Sequence, residues 1–359
     1  MKILHVINSL STGGAEKLIV ETLPLLGENK DLEVELLLLN GSETPFYKEL
    51  ASNPAIKIHF LSKGSVYNPL LIFKLIPFVN RYDIIHVHLF PAQYFVVLAK
   101  FISFSKAKLI FTEHSTSNRR LQNPKYKWIE QFIYHKYSKI ICITEGVRSE
   151  LKRCLNIPNR KLKVIQNGIN IDKIGKEKSY KKTDLGFSQY DKILIKVAGF
   201  RREKDQDTVI KCLKKLPENY KLILVGDGER RQEIEQLIRD KQLEKRVFLL
   251  GIRNDVISLI KMCDIAVLSS HWEGFGLAAA EAMACGISTV ASNVKGLNKV
   301  VEDGGLLFEK GDVEDLKEKI LSLENPDYYV EISNKGKIKA RKYDICNMID
   351  SLYHMYLQV

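Results

Sequence analysis

The sequence predicts an α/β protein made of two Rossmann-like domains. Apolar segments alternate with amphipathic helical segments along the whole chain, a pattern typical of parallel sheets that helices cover on both faces. A length of 359 residues is long for one hydrophobic core and suits two domains. Glycine-containing turns follow several of the predicted strands, at the sheet edge where open α/β folds bind ligands.

The predicted strands and helices follow from apolar runs and helical periodicity. In the first half, strands are expected at residues 2–8, 33–39, 56–61, 84–88, 109–112 and 139–143, with helices at 15–26, 69–80, 92–101 and 124–137 among them. In the second half, strands are expected at 193–198, 221–225, 247–250, 265–269 and 288–291, with helices at 205–216, 230–241, 256–262 and 278–284.

A polar, lysine-rich segment at 173–191 lacks periodicity and marks the predicted domain boundary. Residues 1–175 are expected to form one Rossmann-like domain and residues 176–341 a second. Residues 342–359 are predicted to form a closing helix, whose packing against the first domain stays open. The two domains are expected to face a cleft that strand-end loops line.

The composition is that of a globular protein with an excess of positive charge. The 55 Lys and Arg residues against 43 Asp and Glu residues give a formal net charge of +12, which favours an anionic partner or substrate. The six cysteines form no CxxC pair, which argues against a zinc or disulfide framework. No apolar run reaches the roughly 18 residues that a membrane-spanning helix needs, and the N-terminal residues are predicted to form a strand rather than a signal peptide.

The most informative segment is HWEGFGLAAAEAMACG at 271–286, where a predicted strand passes into a helix. Gly274 and Gly276 let a phosphate approach the unpaired N–H groups of the first helical turn. Glu273 and Glu281 stand eight residues apart, and each can accept two hydroxyl hydrogen bonds. A phosphate between two hydroxyl-bearing rings describes a sugar nucleotide. An ordinary strand–helix turn with solvated glutamates is the plainer alternative.

Two further strand-end turns are candidate binding elements. Gly13 and Gly14 follow the first strand and free backbone N–H groups at the start of a helix, although a tight turn without a ligand explains them equally well. Arg201, Arg202 and Lys204 follow the strand at 193–198, where fixed cations suit a pyrophosphate leaving group. Surface charge alone is the alternative for these three residues.

Histidines and acidic residues raise the question of a metal. His86 and His88 share one face of a strand, but no third ligand is evident, so no metal site is predicted. The motif at 205–207 matches DxD and is assigned instead to the first turn of a helix. His114 ends another strand and is a candidate at the mouth of the cleft. Ile252 follows a strand-end glycine, in a loop that could receive a nucleotide base.

These features together resemble the retaining GT-B glycosyltransferases of family 4, nearly from end to end. The E-x7-E segment carries most of the resemblance, and supporting motifs are GGAE at 13–16, TEGV at 144–147, VIQNGI at 164–169 and VGDG at 225–228. The resemblance implies two Rossmann-like domains facing a cleft, an acceptor domain at 1–175 and a nucleotide-sugar donor domain at 176–341. It also implies sugar transfer with retention of anomeric configuration, with a nucleotide-diphosphate sugar as donor and neither a cofactor nor a metal.

The resemblance also implies roles for individual residues. Glu273 binds the donor sugar and Glu281 the ribose, while the amides around Phe275–Leu277 reach the sugar and the phosphate. Lys204 binds the pyrophosphate together with an arginine, and His114 is the acceptor-domain histidine near the sugar. The family often has its arginine at the position of Gly199 here, so Arg201 or Arg202 would have to replace it.

The predicted function is sugar transfer to a hydroxyl acceptor, a lipid-linked (polyprenyl) or cell-surface polysaccharide intermediate. Cations and aromatic side chains at 119–139 resemble a membrane-surface helix, which favours a cytoplasmic protein that contacts the anionic inner face of the membrane. A solvated helix face is the alternative there. A nucleotide-sugar epimerase of the same architecture is the alternative function, and a non-catalytic sugar-nucleotide sensor is a third. No motif for binding nucleic acid accompanies the positive charge.

Overall fold

The computed structural model describes residues 1–115 and 119–359. The chain divides into two compact units: Met1–Gly168 with Ile345–Val359 form unit 1, and Ile169–Asp344 form unit 2. The first unit thus ends at Gly168, whereas the sequence analysis placed the end of the first domain at residue 175. The reason is local, because residues 171–176 form a helix of unit 2 and Ile169 pairs with Asp344 in an isolated parallel bridge.

Unit 1 is a parallel sheet with helices between its strands. The strands are β1 (Lys2–Ile7), β2 (Glu33–Asn40), β3 (Lys57–Ser62), β4 (Ile84–His88), β5 (Lys108–Glu113), β6 (Lys139–Cys142) and β7 (Leu162–Val164). The helices are α1 (Gly14–Gly27), α2 (Pro45–Ala51), α3 (Leu71–Val79), α4 (Ala92–Ser103), α5 (Arg119–Gln122), α6 (Pro124–His135) and α7 (Glu145–Cys154). The seven strands lie in the order β3-β2-β1-β4-β5-β6-β7.

Unit 2 repeats this architecture. Its strands are β8 (Lys192–Val197), β9 (Tyr220–Val225), β10 (Val247–Gly251), β11 (Ile265–Leu268), β12 (Ser288–Ser292) and β13 (Leu306–Phe308). Its helices are α8 (Ile171–Lys176), α9 (Gln206–Lys215), α10 (Arg231–Asp240), α11 (Val256–Met262), α12 (Leu277–Ala284), α13 (Leu297–Val301), α14 (Val313–Ser322) and α15 (Pro326–Ala340). The six strands lie in the order β10-β9-β8-β11-β12-β13, all parallel. The last helix, α16 (Ile345–Leu357), belongs to unit 1.

Burial explains why the strands are nearly continuous apolar runs. In β8, Leu194 packs in one core cluster while Ile193 and Ile195 pack in another, so helices cover both faces of the sheet. In unit 1, Leu352 and Met355 of α16 share a core with residues of β1 and α1. None of the helices in residues 1–115 and 119–359 has the length and apolar character needed to cross a bilayer.

The predicted fold class, two Rossmann-like α/β domains, is confirmed, and all eleven predicted strands are present. Two strands were missed, β7 and β13, and each has three residues at one edge of its sheet. So short a segment carries no measurable periodicity. In both sheets the order reverses between the first and fourth strands of the unit, between β1 and β4 and between β8 and β11. Ligands of open α/β sheets bind beyond the carboxyl ends of the strands at such a point.

Candidate active site

A lysine and a glutamate meet where the strand order of unit 2 reverses. Lys204 ends the short 3₁₀ turn that follows β8, and Glu273 lies in the loop between β11 and α12. The Lys204 Nζ donates a hydrogen bond to Glu273 Oε2 at 2.5 Å, and the Ser270 hydroxyl donates to the same oxygen at 3.2 Å. The two side chains are 25% and 15% exposed, so solvent and solutes can reach this ion pair.

The loop that carries Glu273 is held by the packing of Phe275 and leads into helix α12. Phe275 is buried, and its ring packs edge-on against Tyr343 with ring centroids 5.1 Å apart. Gly276 has φ of +94° and begins α12, a helix that no side chain of the described residues caps. The backbone N–H groups of Leu277 and its neighbours therefore lie at an uncapped, positive helix end, which suits an anion.

Gly296 is a part of this site that the sequence did not reveal. It has φ of +95°, and a Cβ atom there would stand 2.3 Å from the Glu273 carbonyl oxygen and 2.8 Å from that of Gly274. Only glycine lets the chain before α13 approach the 273–276 loop so closely. A lone glycine two residues after a valine gives no sequence signal for that approach.

Glu281 lies in the second turn of α12 and is only 4% exposed. Its helical neighbours Ala280 and Ala282 are buried too, so small side chains flank the carboxylate along the helix. The position is compatible with the ribose-binding role predicted for Glu281, which remains a prediction.

Lys196 is a second cation near this ion pair, and sequence reasoning missed it. Its side chain is 2% exposed on β8, and its Nζ donates to the Ser269 hydroxyl at 2.9 Å. The Ser269 hydroxyl in turn donates to the Asp205 carbonyl at 2.5 Å. Burial lowers the Lys196 pKa to about 7. The charge of Lys204 also lowers this pKa, whereas the carboxylates of Asp205 and Glu273 raise it. A lysine in the middle of an apolar strand was the available signal.

The two arginines of the predicted cation group are both exposed. They differ in place, because the Arg201 Nε lies 3.8 Å from the position that a Cβ atom would take at Gly199. Gly199 is where the family often carries its arginine. Arg201 therefore puts its guanidinium beside the missing side chain, which favours Arg201 over Arg202 as the replacement.

The remaining predictions for unit 2 concern Asp205, Asp207 and Ile252. Asp205 caps α9 by accepting from the Thr208 N–H at 3.2 Å, and Asp207 accepts from Arg230 at 3.0 and 3.1 Å. Both carboxylates thus serve the fold, as the interpretation of this motif as a helix start predicted. Ile252 is 48% exposed directly after β10, where its loop is open to a ligand.

In unit 1, the glycine pair begins α1 beside the point of strand reversal. Gly13 is the N-cap residue and Gly14 the first helical residue, and no side chain of the described residues caps this helix. A Cβ atom at Gly13 would stand 2.3 Å from Glu16 Oε2, so the carboxylate lies close against the turn. These atoms belong to the flexible end of the Glu16 side chain, which can move aside, so packing alone does not require glycine at this position.

The structure brings together histidines that are far apart in the sequence. His5 lies opposite His86 in the β1–β4 register, and His88 ends the same strand as His86. Ligand atoms of these three side chains all lie within 4.8 Å of one another, so the third histidine that the sequence did not reveal is His5. Late first-row cations such as Zn²⁺ take ligand sets of this kind.

His114 joins this cluster from the end of β5. Its Nε2 lies 3.2 Å from His88 Nδ1. Burial lowers the pKa of His114 to about 4 and that of His5 to about 3, so these imidazoles are neutral at physiological pH. A neutral His114 can exchange hydrogen bonds with hydroxyl groups and carries no charge to attract a phosphate.

The predicted basic and aromatic segment at 119–139 is partly internal. Arg120 pairs with Glu130 at 2.6 Å and lies over the Phe90 ring, and Tyr134 is fully buried, so these two residues do not form a surface. The side chain of Arg119 lies outside the described part of the structure. What remains is an exposed set on and after α6, the α6 surface, made of Lys125, Tyr126, Lys127, Trp128, Phe132 and Lys136.

Comparison with known proteins agrees with this architecture in both units. The family model "Glycosyltransferase Family 4" matches residues 12–173, and the model "Glycosyl transferases group 1" matches residues 177–342. The chain is 32% identical over 325 residues to the uncharacterized glycosyltransferase MJ1178 of Methanocaldococcus jannaschii, covering 88% of this chain and 86% of the relative.

Two further proteins are similar over nearly their whole lengths. One is the N-acetylgalactosamine-N,N'-diacetylbacillosaminyl-diphospho-undecaprenol 4-alpha-N-acetylgalactosaminyltransferase of Campylobacter jejuni, with 27% identity covering 94% of each chain. The other is the crystal structure of Anabaena Alr3699/HepE in complex with UDP and glucose, with a TM-score of 0.88 and 22% identity over 100% of both chains. This chain belongs to the family 4 glycosyltransferases and has their GT-B fold.

Proposed function

We propose that this glycosyltransferase moves a sugar from a nucleotide-diphosphate sugar to a hydroxyl acceptor, without a metal and with retention of the anomeric configuration. The observation that carries the proposal is the Lys204–Glu273 ion pair beside the uncapped start of α12, with Glu281 one turn further on. A fixed cation, helical N–H groups and two acidic side chains match a diphosphate between two polyols.

In this proposal Lys204 neutralises the charge that grows on the leaving diphosphate. The bond between the anomeric carbon and the phosphate oxygen breaks, and the acceptor oxygen attacks the oxocarbenium-like carbon from the same face. The acceptor proton passes to the departing phosphate oxygen. Glu273 accepts hydrogen bonds from the donor sugar and Glu281 from the ribose, while Arg201 supplies the second cation.

The proposed acceptor is a lipid-linked sugar at the inner face of the membrane. The name of the Campylobacter jejuni relative states that it acts on a diphospho-undecaprenol substrate. We assign the acceptor to unit 1, where His114 and the Gly13-Gly14 turn are uncharged and suit hydroxyl groups. Exposed aromatic side chains lie near lysines on the same unit, including Trp128, which is 71% exposed, and Phe132, which lies under Lys136 at 4.6 Å.

We further propose that the α6 surface binds to anionic lipid. Aromatic rings favour the membrane interface, and each lysine near an anionic surface contributes about 1 kcal/mol. α4 packs against both α3 and α6 and also exposes apolar side chains, with Phe101 69% exposed and Phe104, just after it, 89% exposed. Phe73 of α3 is 60% exposed as well. The neighbouring helices α3, α4 and α6 of unit 1 thus all expose apolar side chains that could contact a membrane.

A transfer assay tests the proposed reaction. Purified protein is incubated in EDTA with a panel of nucleotide-diphosphate sugars and short polyprenyl-diphosphate sugar acceptors. We expect release of the nucleoside diphosphate and a new glycosidic bond that has the anomeric configuration of the donor. Activity that requires a divalent cation, or an inverted product, would contradict the proposed mechanism.

The same assay separates transfer from the epimerase alternative. An epimerase converts the nucleotide sugar when no acceptor is present and leaves the nucleotide attached. The transferase proposal predicts no new nucleotide sugar under those conditions. No feature of the described residues favours the epimerase.

Flotation with liposomes tests the membrane contact. Protein should float with vesicles that contain anionic phosphatidylglycerol at low salt and should be released by raising the salt. Replacing Lys125, Lys127 and Lys136 with Glu should abolish flotation. The matched control replaces Lys211, Lys214 and Lys245 of unit 2, which are equally exposed, and should float like the wild type. Equal behaviour of the two variants would rule out the α6 surface.

A further inference from the structure

The histidines of unit 1 form one continuous hydrogen-bonded chain, which we call the histidine chain. Its members in order are His114, His88, His5, Tyr356, His86 and Thr112. Tyr356 comes from α16 at the end of the sequence, whereas the other members come from β1, β4 and the region of β5. The C-terminal helix therefore supplies the hydroxyl group in the middle of this chain.

Ring geometry shows that the histidines are joined by hydrogen bonds. His5 Nδ1 and His88 Nε2 are 3.2 Å apart, while the ring centroids are 5.4 Å apart and the rings are within 14° of parallel. The two nitrogens thus lie almost on the line between the ring centres, where a lone pair faces an N–H group. His88 and His114 have nearly the same spacing, with 3.2 Å between nitrogens and 5.5 Å between centroids.

This arrangement differs from that of a metal site. A cation bound by two imidazoles lies about 2 Å from each nitrogen along the direction of its lone pair, whereas here the nitrogen of one ring points directly at the nitrogen of the other. In addition, both nitrogens of His86 are already 2.7 Å from hydroxyl oxygens, those of Tyr356 and Thr112. As placed in the structure, the cluster is arranged for N–H···N and N–H···O hydrogen bonds.

The direction of the hydrogen bonds follows from His86. Both hydroxyl groups approach it at 2.7 Å, but a neutral imidazole has one lone pair, so only one of them can donate. A phenol is the more acidic hydroxyl and the stronger donor, so Tyr356 donates to His86 Nδ1. The Tyr356 oxygen lies further from His5, at 3.3 Å, as suits an oxygen that accepts there from an N–H group.

Each remaining proton position is then determined. His5 donates from Nε2 to Tyr356 and so accepts at Nδ1 from His88 Nε2. His88 in turn accepts at Nδ1 from His114 Nε2. We propose that Tyr356 of the C-terminal helix fixes His114 as the Nε2–H tautomer, so that its Nδ1 is the bare nitrogen that accepts a substrate hydroxyl. The contact with substrate rests on the proposed function, whereas the tautomer does not.

Nuclear magnetic resonance of the ¹⁵N-histidine-labelled full chain tests this proposal directly. Long-range ¹H–¹⁵N spectra at neutral pH distinguish the two tautomers, and the His114→Gln spectrum assigns the signal. We expect the Nε2–H tautomer in the wild type. Tyr356→Phe should reduce the tautomer preference of His114 about fivefold, the size of one net hydrogen bond. Because this readout needs no turnover, its failure is distinguishable from failure of the proposed reaction.

Two further variants separate the proposal from a general loss of packing. Tyr353→Phe removes a hydroxyl from the same helix, one that donates to Asp31 at 3.0 Å, and should leave His114 unchanged. Thr112→Val removes the group at the far end, which only accepts, and should also leave the tautomer unchanged. An Nδ1–H tautomer in the wild type, a Tyr356→Phe spectrum like that of the wild type, or a reversal in Thr112→Val would overturn the proposal.

Discussion

The two units share one topology and differ in what they bury where the strand order reverses. In unit 1 the first and fourth strands carry neutral imidazoles whose hydrogen bonds run from His114 to α16. In unit 2 the corresponding strands carry Lys196 and lead to the Lys204–Glu273 ion pair. The same backbone thus supplies either a neutral or a charged binding surface, according to a few side chains.

This difference matches the two kinds of substrate that a glycosyltransferase must hold. A diphosphate needs cations and helical N–H groups, which are found in unit 2. An acceptor hydroxyl group can be held by uncharged donors and acceptors, which are found in unit 1. The contrast therefore predicts that removing charge from unit 2 impairs its handling of the donor. Of the four experiments below, three measure the donor and the fourth measures how the buried Lys196 couples folding to pH.

The largest effect is expected from Lys204→Ala. The ammonium stabilises charge that grows as the diphosphate leaves, so kcat should fall by about 10²–10³, or roughly 2.7–4 kcal/mol, with a smaller rise in KM. Steady-state kinetics with the donor varied measures both constants. The control is Lys211→Ala on the exposed face of α9, and a Lys204→Ala enzyme with the kcat of the wild type would remove Lys204 from the mechanism.

Next in size is the effect of Glu281→Gln on donor binding. The change keeps the volume of a buried side chain but replaces a charged acceptor, which should weaken binding by about 1.5–3 kcal/mol. Isothermal titration with the donor gives the Kd, and Glu318→Gln on exposed α14 is the control. If Glu281→Gln binds the donor as tightly as the control does, the ribose assignment is wrong.

The third comparison concerns the 273–276 loop. Gly296→Ala and Gly311→Ala both place a side chain at positive φ, +95° and +79°, where residues other than glycine are strained. Only at Gly296 does the new Cβ meet the loop backbone, whereas at Gly311 nothing lies within 4 Å. Donor affinity should therefore fall in Gly296→Ala alone. Equal affinities in the two variants would show that the loop does not depend on this contact.

The fourth comparison concerns the stability of unit 2 rather than the donor, through Lys196 and pH. Its folded pKa of about 7 lies below the value of 10.5 for a free lysine, so between these pH values the unfolded chain keeps a proton that the folded chain has released. The unfolding free energy of the wild type should therefore rise with pH across this window, by about 1.4 kcal/mol per pH unit, relative to Lys196→Met. Denaturant titrations at several pH values measure the difference.

The matched control for that pH series is Lys221→Met on the neighbouring strand β9. The Lys221 ammonium donates to the Glu218 carbonyl at the surface, at 3.1 Å. Wild type and Lys221→Met should therefore follow parallel curves. A Lys196→Met curve parallel to that of the wild type would mean that Lys196 stays charged in the folded protein throughout.

Much of the fold and of the donor site could be predicted because the signals are local. Strand–helix alternation gave both sheets, and the E-x7-E spacing pointed to Glu273 and Glu281 without any tertiary information. Lys204 was found for the same reason, since it directly follows a strand. The Lys204 ammonium lies 2.5 Å from Glu273, although the two residues belong to loops that are far apart in the sequence. This contact could be expected only from the order of strands in a parallel sheet.

The site residues that the sequence did not reveal depend on contacts between residues that are far apart in the sequence. His5 meets His88, and Tyr356 meets His86 across 270 positions, so neither partner is visible from spacing. Gly296 matters only because the backbone of another loop lies against it. Lys196 could have been recognised from its place between Ile195 and Val197 in an apolar strand, because a side chain there must be buried.

Donor binding by the intact chain tests the central claim most directly. Thermal unfolding is followed in EDTA with UDP-, GDP-, ADP- and CMP-sugars, for the wild type and for Glu281→Gln. We predict that at least one nucleoside-diphosphate sugar stabilises the wild type, by about 2.7 kcal/mol at 100 times its Kd, and stabilises Glu281→Gln clearly less. If no sugar nucleotide stabilises the wild type, or if both proteins respond alike, unit 2 does not hold the donor as described.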